Sequence, residues 1–212
     1  MIRPLEKKAD EFRKQNKTTS RRQKNITLDY ASTHQDIVEK CKAGNQQAQF
    51  ELYRLYSKAM YNVSLRMVKD ELDAEDILQN SFVDIFTKLD SFKFQSSVGA
   101  WMKRIVVNNC INFLKRKKVF FQEFEDQHAQ NIPDTKGPEN NAGLSVNAVK
   151  RALFELPDGY RVVFSLYMLE GYDHKEIGNI LGVTEATSKS QYSRAKRKLR
   201  DILDTQKLVS NF

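Results

Sequence analysis

Residues 172–203 read YDHKEIGNILGVTEATSKSQYSRAKRKLRDIL, and this stretch decides the fold of the C-terminal part of the chain. Asp173 can cap a short helix whose apolar positions end at Leu181. Gly182 suits the left-handed residue that stops a helix, and Thr184 can cap the helix that follows it. Two helices joined by such a short turn are typical of helix-turn-helix domains, whose second helix enters the DNA major groove.

The second helix of this stretch separates into two faces when it is wound at about 100° per residue. The inner stripe is small or apolar and can pack: Ser188, Tyr192, Ala195 and Leu199. The outer stripe is polar and cationic: Ser190, Ser193, Arg194 and Arg197, flanked by Lys189, Gln191, Lys196 and Lys198. Such side chains can reach phosphates and base edges. The pattern favours DNA binding over a solvated basic surface helix, although Val and Leu would pack better than Ser188 and Tyr192.

Upstream, apolar residues recur at three- and four-residue steps from Thr33 to Lys118, which predicts a helical bundle of about 85 residues. One long helix is expected through Phe50–Met67, a second after Asp73, and a third from Ser97 or Gly99 to the basic end at Lys115–Lys118. No stretch alternates like a half-buried strand. The predicted fold class is therefore all-α.

The chain divides by composition. Residues 119–148 lose periodicity and gather Pro133, Gly137, Pro138 and Gly143, a connection of a length uncommon inside one compact domain. We therefore predict two small helical domains joined by a long acidic linker. The predicted segments are a basic, disordered arm (1–32), a helical domain (33–118), the linker (119–145), a helix-turn-helix domain (146–206) and a tail (207–212).

The overall charge is +8 and the sequence pI is about 9.4, which favours a polyanionic partner. The positive charge is segregated: residues 91–122 hold seven basic residues and no acid. No apolar run reaches the length of a membrane span, and the charged N-terminus is unlike a secretory signal. Cys41 and Cys110 lie 69 positions apart, which argues against a disulfide framework or a structural zinc site and fits a reducing cytoplasm.

Residues 70–76 read DELDAED, with five acids in seven positions. One reading is a helix start, where carboxylates cap the chain and complement the dipole. A second is a docking face for a basic partner, with Asp76 and Gln79 side by side one turn apart. A third is the metal site of a nuclease, which also needs clustered carboxylates. Neither His nor Lys nearby in the sequence completes a catalytic set, and His34, His128 and His174 are isolated.

The basic block, residues 91–118, mixes aromatic and cationic side chains. Phe92, Phe94 and Trp101 lie among Lys93, Lys103 and Arg104, with Asn108, Asn109 and Asn112 along one polar edge. Aromatic rings interleaved with cations suit unstacked single-stranded bases. Packing inside the bundle is the alternative for Phe92 and the favoured one for Trp101.

In order along the chain, these parts resemble an extracytoplasmic-function (ECF) sigma factor of the sigma-70 family. The resemblance covers about residues 36–204 and rests on DAEDILQ, the Phe/Ser loop, AWMKRIVVNNCINFLKR, the acidic linker and the terminal helix-turn-helix. It implies sigma regions two and four, a non-enzymatic initiation role without metal or cofactor, and core RNA polymerase (β′ clamp and β flap), promoter DNA and an anti-sigma factor as partners.

The resemblance also implies roles for single residues. The residues implied to dock on the β′ clamp are Asp73, Asp76, Gln79 and Asn80. The residues implied to hold or read the minus-10 element are Phe92, Phe94, Ser96, Ser97, Trp101, Lys103, Arg104, Asn108, Asn109 and Asn112. The implied minus-35 readers are Thr187, Lys189, Ser190, Gln191, Arg194, Arg197 and Lys198. The linker resembles the segment that passes through the polymerase active-site and RNA-exit channels.

This chain departs from the family pattern at Ser188, where many members have Val, and at Gln191, where many have Arg. The alternative to a sigma factor is a helix-turn-helix regulator that acts without core polymerase, but it leaves DELDAED and the aromatic loop unexplained. A metal-dependent nuclease is the enzyme alternative.

Overall fold

The structure is a computed structural model that describes residues 33–117 and 146–210, and these form two separate compact units. Over the described ranges both units consist of helices joined by short loops, without a strand, which confirms the predicted all-α class with two small helical domains. The predicted arm (1–32), linker (119–145) and residues 211–212 lie outside the described residues. Within the described part of the chain, no helix is long and apolar enough to cross a membrane.

Over residues 33–117, the N-terminal unit contains four α-helices and one short 3₁₀ turn. They are α1 (Gln35–Lys42), α2 (Gln46–Val68), α3 (Glu71–Lys88), the 3₁₀ turn (Leu89–Ser91) and α4 (Val98–Arg116). Side chains just outside three of the helices accept from their first turns: Asn45 from Ala48 N–H, Asp70 from Asp73 N–H and Ser97 from Ala100 N–H. Of the two predicted starts of the third helix, Ser97 and Gly99, the first is confirmed, because Ser97 caps α4 at Val98. The predicted start after Asp73 is wrong, because the cap at Asp70 begins α3 at Glu71.

Helices α2, α3 and α4 pack against one another and enclose the core of this unit. Leu52 and Met67 of α2, Ile85 of α3 and Met102 of α4 are fully buried there. Burying such side chains contributes about 1.5–3 kcal/mol each, so this unit holds itself together largely by apolar packing.

The C-terminal unit contains α5 (Val146–Glu155), α6 (Asp158–Phe164), a π-helical turn (Ser165–Leu169), α7 (His174–Leu181) and α8 (Glu185–Ser210). The long helix α8 packs against α5, α6 and α7, and its Leu199 is buried with Ile177 and Leu181 of α7. Arg161 of α6 is also fully buried. Its guanidinium pairs with Asp158 at 2.7 Å and donates to the carbonyl of Leu156 at 3.1 Å, which fixes the turn between α5 and α6.

Candidate nucleic-acid and polymerase interfaces

The helix-turn-helix is formed by α7 and α8, with the capping that the sequence predicts. The Asp173 carboxylate accepts from Glu176 N–H at 2.8 Å, while the Glu176 carboxylate accepts from Asp173 N–H at 2.7 Å. Gly182 ends α7 with a left-handed φ of 76°, and Thr184 Oγ1 accepts from Thr187 N–H at 3.0 Å at the start of α8. These three predictions are confirmed.

Sequence reasoning missed the role of Gly178 in the same turn. A Cβ atom at this position would lie 2.8 Å from the carbonyl oxygen of Val183. The close approach of the turn to α7 therefore requires a glycine there. The signal was present as a glycine inside an otherwise helical apolar pattern, which costs helix stability unless packing needs it.

The inner stripe of α8 is buried as predicted: Ser188, Tyr192, Ala195 and Leu199 are each at most 8% exposed. Ser188 and Tyr192 are accommodated by polar contacts. Ser188 Oγ lies 2.9 Å from His174 Nδ1, and the Tyr192 hydroxyl donates to Met168 Sδ at 2.9 Å. The Tyr192 ring also packs on Tyr167, with centroids 4.4 Å apart. These partners lie 14 to 25 residues away, so helical periodicity could not reveal them.

The outer face of α8 presents Lys189, Arg197 and Lys198 to solvent, whereas Thr187, Ser190 and Arg194 are half-buried. Lys189 pairs with Glu185 at 2.6 Å, and this hydrogen-bonded ammonium lowers the pKa of the Glu185 carboxyl. The Ser190 hydroxyl donates to the carbonyls of Ala186 and Thr187. Thr187 Oγ1 lies 2.8 Å from Thr184 Oγ1. Several predicted readers therefore already have partners within α8 or its cap.

Gln191 does not lie on the outer face where the helical wheel places it, because its side chain is only 2% exposed. That placement is wrong for a physical reason. Helix α8 packs against α5, α6 and α7 together, so its buried surface is wider than a single stripe. Gln191 Oε1 has no hydrogen-bond partner among the described residues.

The acidic segment of α3 divides into residues that hold the fold and residues that face solvent. Asp70 caps the helix, and Asp73 is half-buried and pairs with Lys117 Nζ at 2.5 Å. Asp76, Gln79 and Asn80 are exposed. Over the described residues, no group of three or more His, Cys, Asp or Glu side chains could hold a metal ion, so the geometry gives no support to a nuclease site.

The aromatic residues of the basic block form a cluster before and within the start of α4. Phe92 is 4% exposed, and its ring lies 4.8 Å from that of Phe94 and 5.2 Å from that of Trp101. Phe94 and Trp101 are half-buried. Ser96 is exposed, whereas Ser97 is half-buried as the cap of α4. The core packing considered for Phe92 is therefore present, while Phe94 and Trp101 retain accessible surface.

Along α4, Arg104, Asn108 and Asn112 are exposed, whereas Lys103 and Asn109 are half-buried. The Asn109 amide donates to Ser81 Oγ at 3.1 Å and to Asp84 Oδ2 at 3.0 Å. The hydrogen bond from Asn109 is the main cause of a lowered pKa of the Asp84 carboxyl, and a hydrogen bond from Lys88 is the second cause. One open groove between α3 and α4 is lined by residues from two predicted sites. Asp76 and Asn80 belong to the predicted polymerase-binding set, and Asn109 and Asn112 belong to the predicted minus-10 set.

The comparisons with known proteins match both units to one class. Residues 52–119 match the family described as sigma-70 region 2, and residues 147–199 match the family described as sigma-70, region 4. These matches define the class as the sigma-70 family of RNA polymerase sigma factors.

Individual relatives refine that class. The chain is 30% identical over 162 residues to the ECF RNA polymerase sigma factor SigM of Mycobacterium tuberculosis, covering 76% of this chain and 80% of the relative. It is 29% identical over 174 residues to SigW of Bacillus subtilis, covering 77% and 92%. The solved sigma factor RpoE of Bartonella quintana, in complex with the anti-sigma factor NepR, is 23% identical over 73% of this chain and 95% of its own, with a TM-score of 0.49. The chain belongs to the ECF RNA polymerase sigma factors, which are transcription initiation factors and not enzymes.

Proposed function

We propose that this sigma factor directs core RNA polymerase to promoters by dividing the work between its two units. The N-terminal unit binds polymerase and holds the melted minus-10 strand, and the C-terminal unit reads the minus-35 duplex. The observation that carries the proposal is the helix-turn-helix of α7 and α8, whose capped turn and buried inner stripe leave a basic face of α8 in solvent.

Polymerase binding is assigned to the exposed part of the α3 acidic segment, with Asp76, Gln79 and Asn80 contacting the β′ clamp. Asp73 contributes indirectly, because its carboxylate is held by Lys117. Reversing the charge with Asp76→Arg should abolish co-purification of the chain with core polymerase. Asp90→Arg is the matched control, since Asp90 is an exposed acid on the 3₁₀ turn of the same unit. Equal retention of polymerase by both variants would contradict this docking face.

Strand capture is assigned to Phe94, Trp101, Ser96 and Ser97, supported by Lys103 and Arg104 and by Asn108 and Asn112 of α4. Phe92 and Asn109 are assigned structural roles instead of direct DNA contacts. Phe92 is buried against Phe94 and Trp101, and the Asn109 amide is bound to Ser81 and Asp84. Melting costs a few kcal/mol per extruded base, which stacking on an aromatic face worth about 1–3 kcal/mol can offset. Phe94→Ala should therefore reduce promoter opening while leaving polymerase binding intact.

Minus-35 recognition is assigned to the accessible side chains of α8: Thr187, Lys189, Ser190, Arg194, Arg197 and Lys198. Gln191 is omitted because it is buried. Arg197→Ala should weaken holoenzyme binding to promoter duplex, with a reduced salt dependence if the arginine contacts a phosphate. Arg151→Ala is the control, because Arg151 is an exposed arginine on α5 of the same unit. Equal effects at the two positions would argue for a diffuse electrostatic contribution instead.

The complete proposal is tested by transcription. Purified full-length chain added to bacterial core polymerase should give run-off transcripts from defined promoters among genomic fragments, and mapping their starts identifies the promoter elements. The absence of transcripts on every fragment would overturn the proposal.

The remaining assignments concern partners and location. The same purified chain can be used to search for an anti-sigma partner, and we place both proteins in the cytoplasm. The acidic linker is assigned to the polymerase active-site and RNA-exit channels, with the β flap as the partner of the C-terminal unit.

A further inference from the structure

Lys42, at the end of α1, reaches across the N-terminal unit to the aromatic loop 92–97. Its ammonium donates to the carbonyl oxygen of Phe92 at 2.8 Å, and it lies 4.8 Å from the centroid of the Phe94 ring. One side chain therefore makes a hydrogen bond and a cation–π contact to this loop, about 50 residues further along the chain. The contact could not be anticipated from the sequence, where Lys42 is one of two lysines in the last turn of a short helix.

The loop contains a feature that needs such support. Phe94 has a φ of 55°, in the left-handed region that non-glycine residues rarely occupy. A conformation of this kind persists only where surrounding contacts hold it, and such residues cluster at ligand-binding sites. The contacts to Phe94 include the ammonium of Lys42 and the ring of Phe92, and Lys42 also binds the carbonyl of Phe92.

We propose that Lys42 is a positioning residue for base capture. It fixes the backbone at Phe92 and the ring of Phe94 before DNA arrives, so that the accessible surface of Phe94 is ready to stack on an extruded base. This inference rests on the proposed role of the loop in holding the melted minus-10 strand. Preorganisation of this kind raises affinity because the ordering cost is met before binding.

The free chain gives the first test, because Trp101 is its single tryptophan and its ring lies 5.2 Å from that of Phe92. Lys42→Met should change the emission of Trp101, whereas Lys40→Met should not. Lys40 is the matched control, since it is an exposed lysine in the same turn of α1 and the two variants remove the same charge. Lys42→Arg should restore the wild-type emission, because a guanidinium also donates hydrogen bonds and stacks on aromatic rings. Thermal melts verify that each variant is folded.

The second test uses holoenzyme reconstituted with the full chain. Its probe is a fork-junction DNA from a promoter mapped by run-off transcription, in intact form and with an abasic site at each minus-10 position in turn. Lys42→Met should bind the intact probe roughly tenfold more weakly, as expected for the loss of about one hydrogen bond. On the abasic probe that removes the captured base it should match the wild type, and in a Phe94→Ala background it should cause no further loss.

The outcomes separate the inference from the proposed function. If wild-type holoenzyme binds intact and abasic probes equally, base capture by the loop fails and the inference falls with it. If the wild type discriminates but Lys42→Met behaves as Lys40→Met does, only the inference is overturned. A Lys42→Met loss that persists on every abasic probe, with a reduced salt dependence, would assign Lys42 to a phosphate contact and also overturn positioning.

Discussion

The two units bury different kinds of side chain. Over residues 33–117, the buried polar residues are Ser64 and Ser81, and both are hydrogen-bonded: Ser64 to the Met60 carbonyl and Ser81 to Asn109. Over residues 147–206 the buried polar residues are more numerous and include a charge: Arg161, Ser165, Ser188 and Gln191. The N-terminal unit is held by apolar packing and leaves most polar groups at its surface. In the C-terminal unit, Arg161 and Ser188 are held by specific buried polar contacts, whereas Ser165 Oγ and Gln191 Oε1 lie buried without a hydrogen-bond partner among the described residues.

Because the two units bury different side chains, the same kind of substitution should destabilise them to different extents. A buried polar group that is hydrogen-bonded changes the free energy of folding only modestly, whereas one that loses its partner carries the full desolvation penalty. Polar substitutions should therefore have large effects in the C-terminal unit and small ones in the N-terminal unit. Four substitutions test this contrast.

The largest effect is expected from Asp158→Asn. Arg161 is fully buried, and this change removes the carboxylate that pairs with its guanidinium at 2.7 Å. Removing the carboxylate beside this buried charge, while its hydrogen bond to the Leu156 carbonyl stays, should destabilise the C-terminal unit by about 3 kcal/mol. Hydrogen exchange should show faster opening of α6 and α8, with the amides of residues 33–117 unchanged as an internal reference.

Asp204→Asn is the control for this prediction, because Asp204 is an exposed acid on α8. It should change exchange by little, as surface charges contribute little to stability. Similar exchange in the two variants would mean that the buried ion pair does not distinguish the C-terminal unit.

A smaller loss is expected from Ser188→Ala, which removes the contact between Ser188 Oγ and His174 Nδ1. We expect a destabilisation of about 1 kcal/mol, the typical net value of one hydrogen bond. Ser193→Ala on the half-buried outer side of α8 is the control. If Ser188→Ala were instead as stable as the wild type, Ser188 would act as a plain apolar position of the inner stripe.

How much of the fold the sequence predicts depends on whether a contact is local or distant along the chain. Caps such as Asp173 and Thr184, and the glycine stop at Gly182, act within one turn of their own position, so the sequence alone reveals them. The inner stripe of α8 is equally local, because helical periodicity fixes it. The boundaries of the predicted domains and the assigned roles of the site residues stay predictions.

The rest could not be predicted, because it depends on partners from other elements. Gln191 lies three residues after Ser188 and four before Ala195, at the edge of the inner stripe, and it is buried because three helices pack around α8. Lys42 contacts the loop 50 residues away. Asn109 has the sequence context of a DNA-reading residue, yet its amide binds Ser81 and Asp84 of α3.

Gln191→Leu tests the burial of Gln191, and unlike the substitutions above it should not lower the stability of the C-terminal unit. Its Oε1 lies buried without a partner among the described residues, so a side chain of similar size without that oxygen should leave stability unchanged or raise it by up to about 1 kcal/mol. Affinity of the holoenzyme for promoter duplex should stay at the wild-type level. A strong, sequence-dependent loss of affinity would instead establish Gln191 as a reader of the minus-35 element and show that α8 repacks on DNA.

The smallest effect is expected from Asn109→Ala in the N-terminal unit. The Asn109 amide is the main cause of the lowered pKa of Asp84, so this change should raise that pKa toward its ordinary value of about 3.9. A lowered folded-state pKa contributes stability that is present above the unfolded value and is lost as the pH falls through the folded value. The variant should therefore be less stable than the wild type at pH 7, with the difference vanishing as the pH falls below the folded-state pKa of Asp84. Because water reaches Asp84, the loss at pH 7 should be under about 1 kcal/mol.

The titration of Asp84, followed by NMR in the wild type and in Asn109→Ala, checks this directly. Asn112→Ala, an exposed asparagine on the same helix, should leave the pKa of Asp84 unchanged. An unchanged pKa of Asp84 in Asn109→Ala, together with reduced promoter opening, would mean that Asn109 contacts DNA and does not set the pKa of Asp84. The N-terminal unit would then hold one fewer internal polar contact, and its contrast with the polar interior of the C-terminal unit would be sharper still.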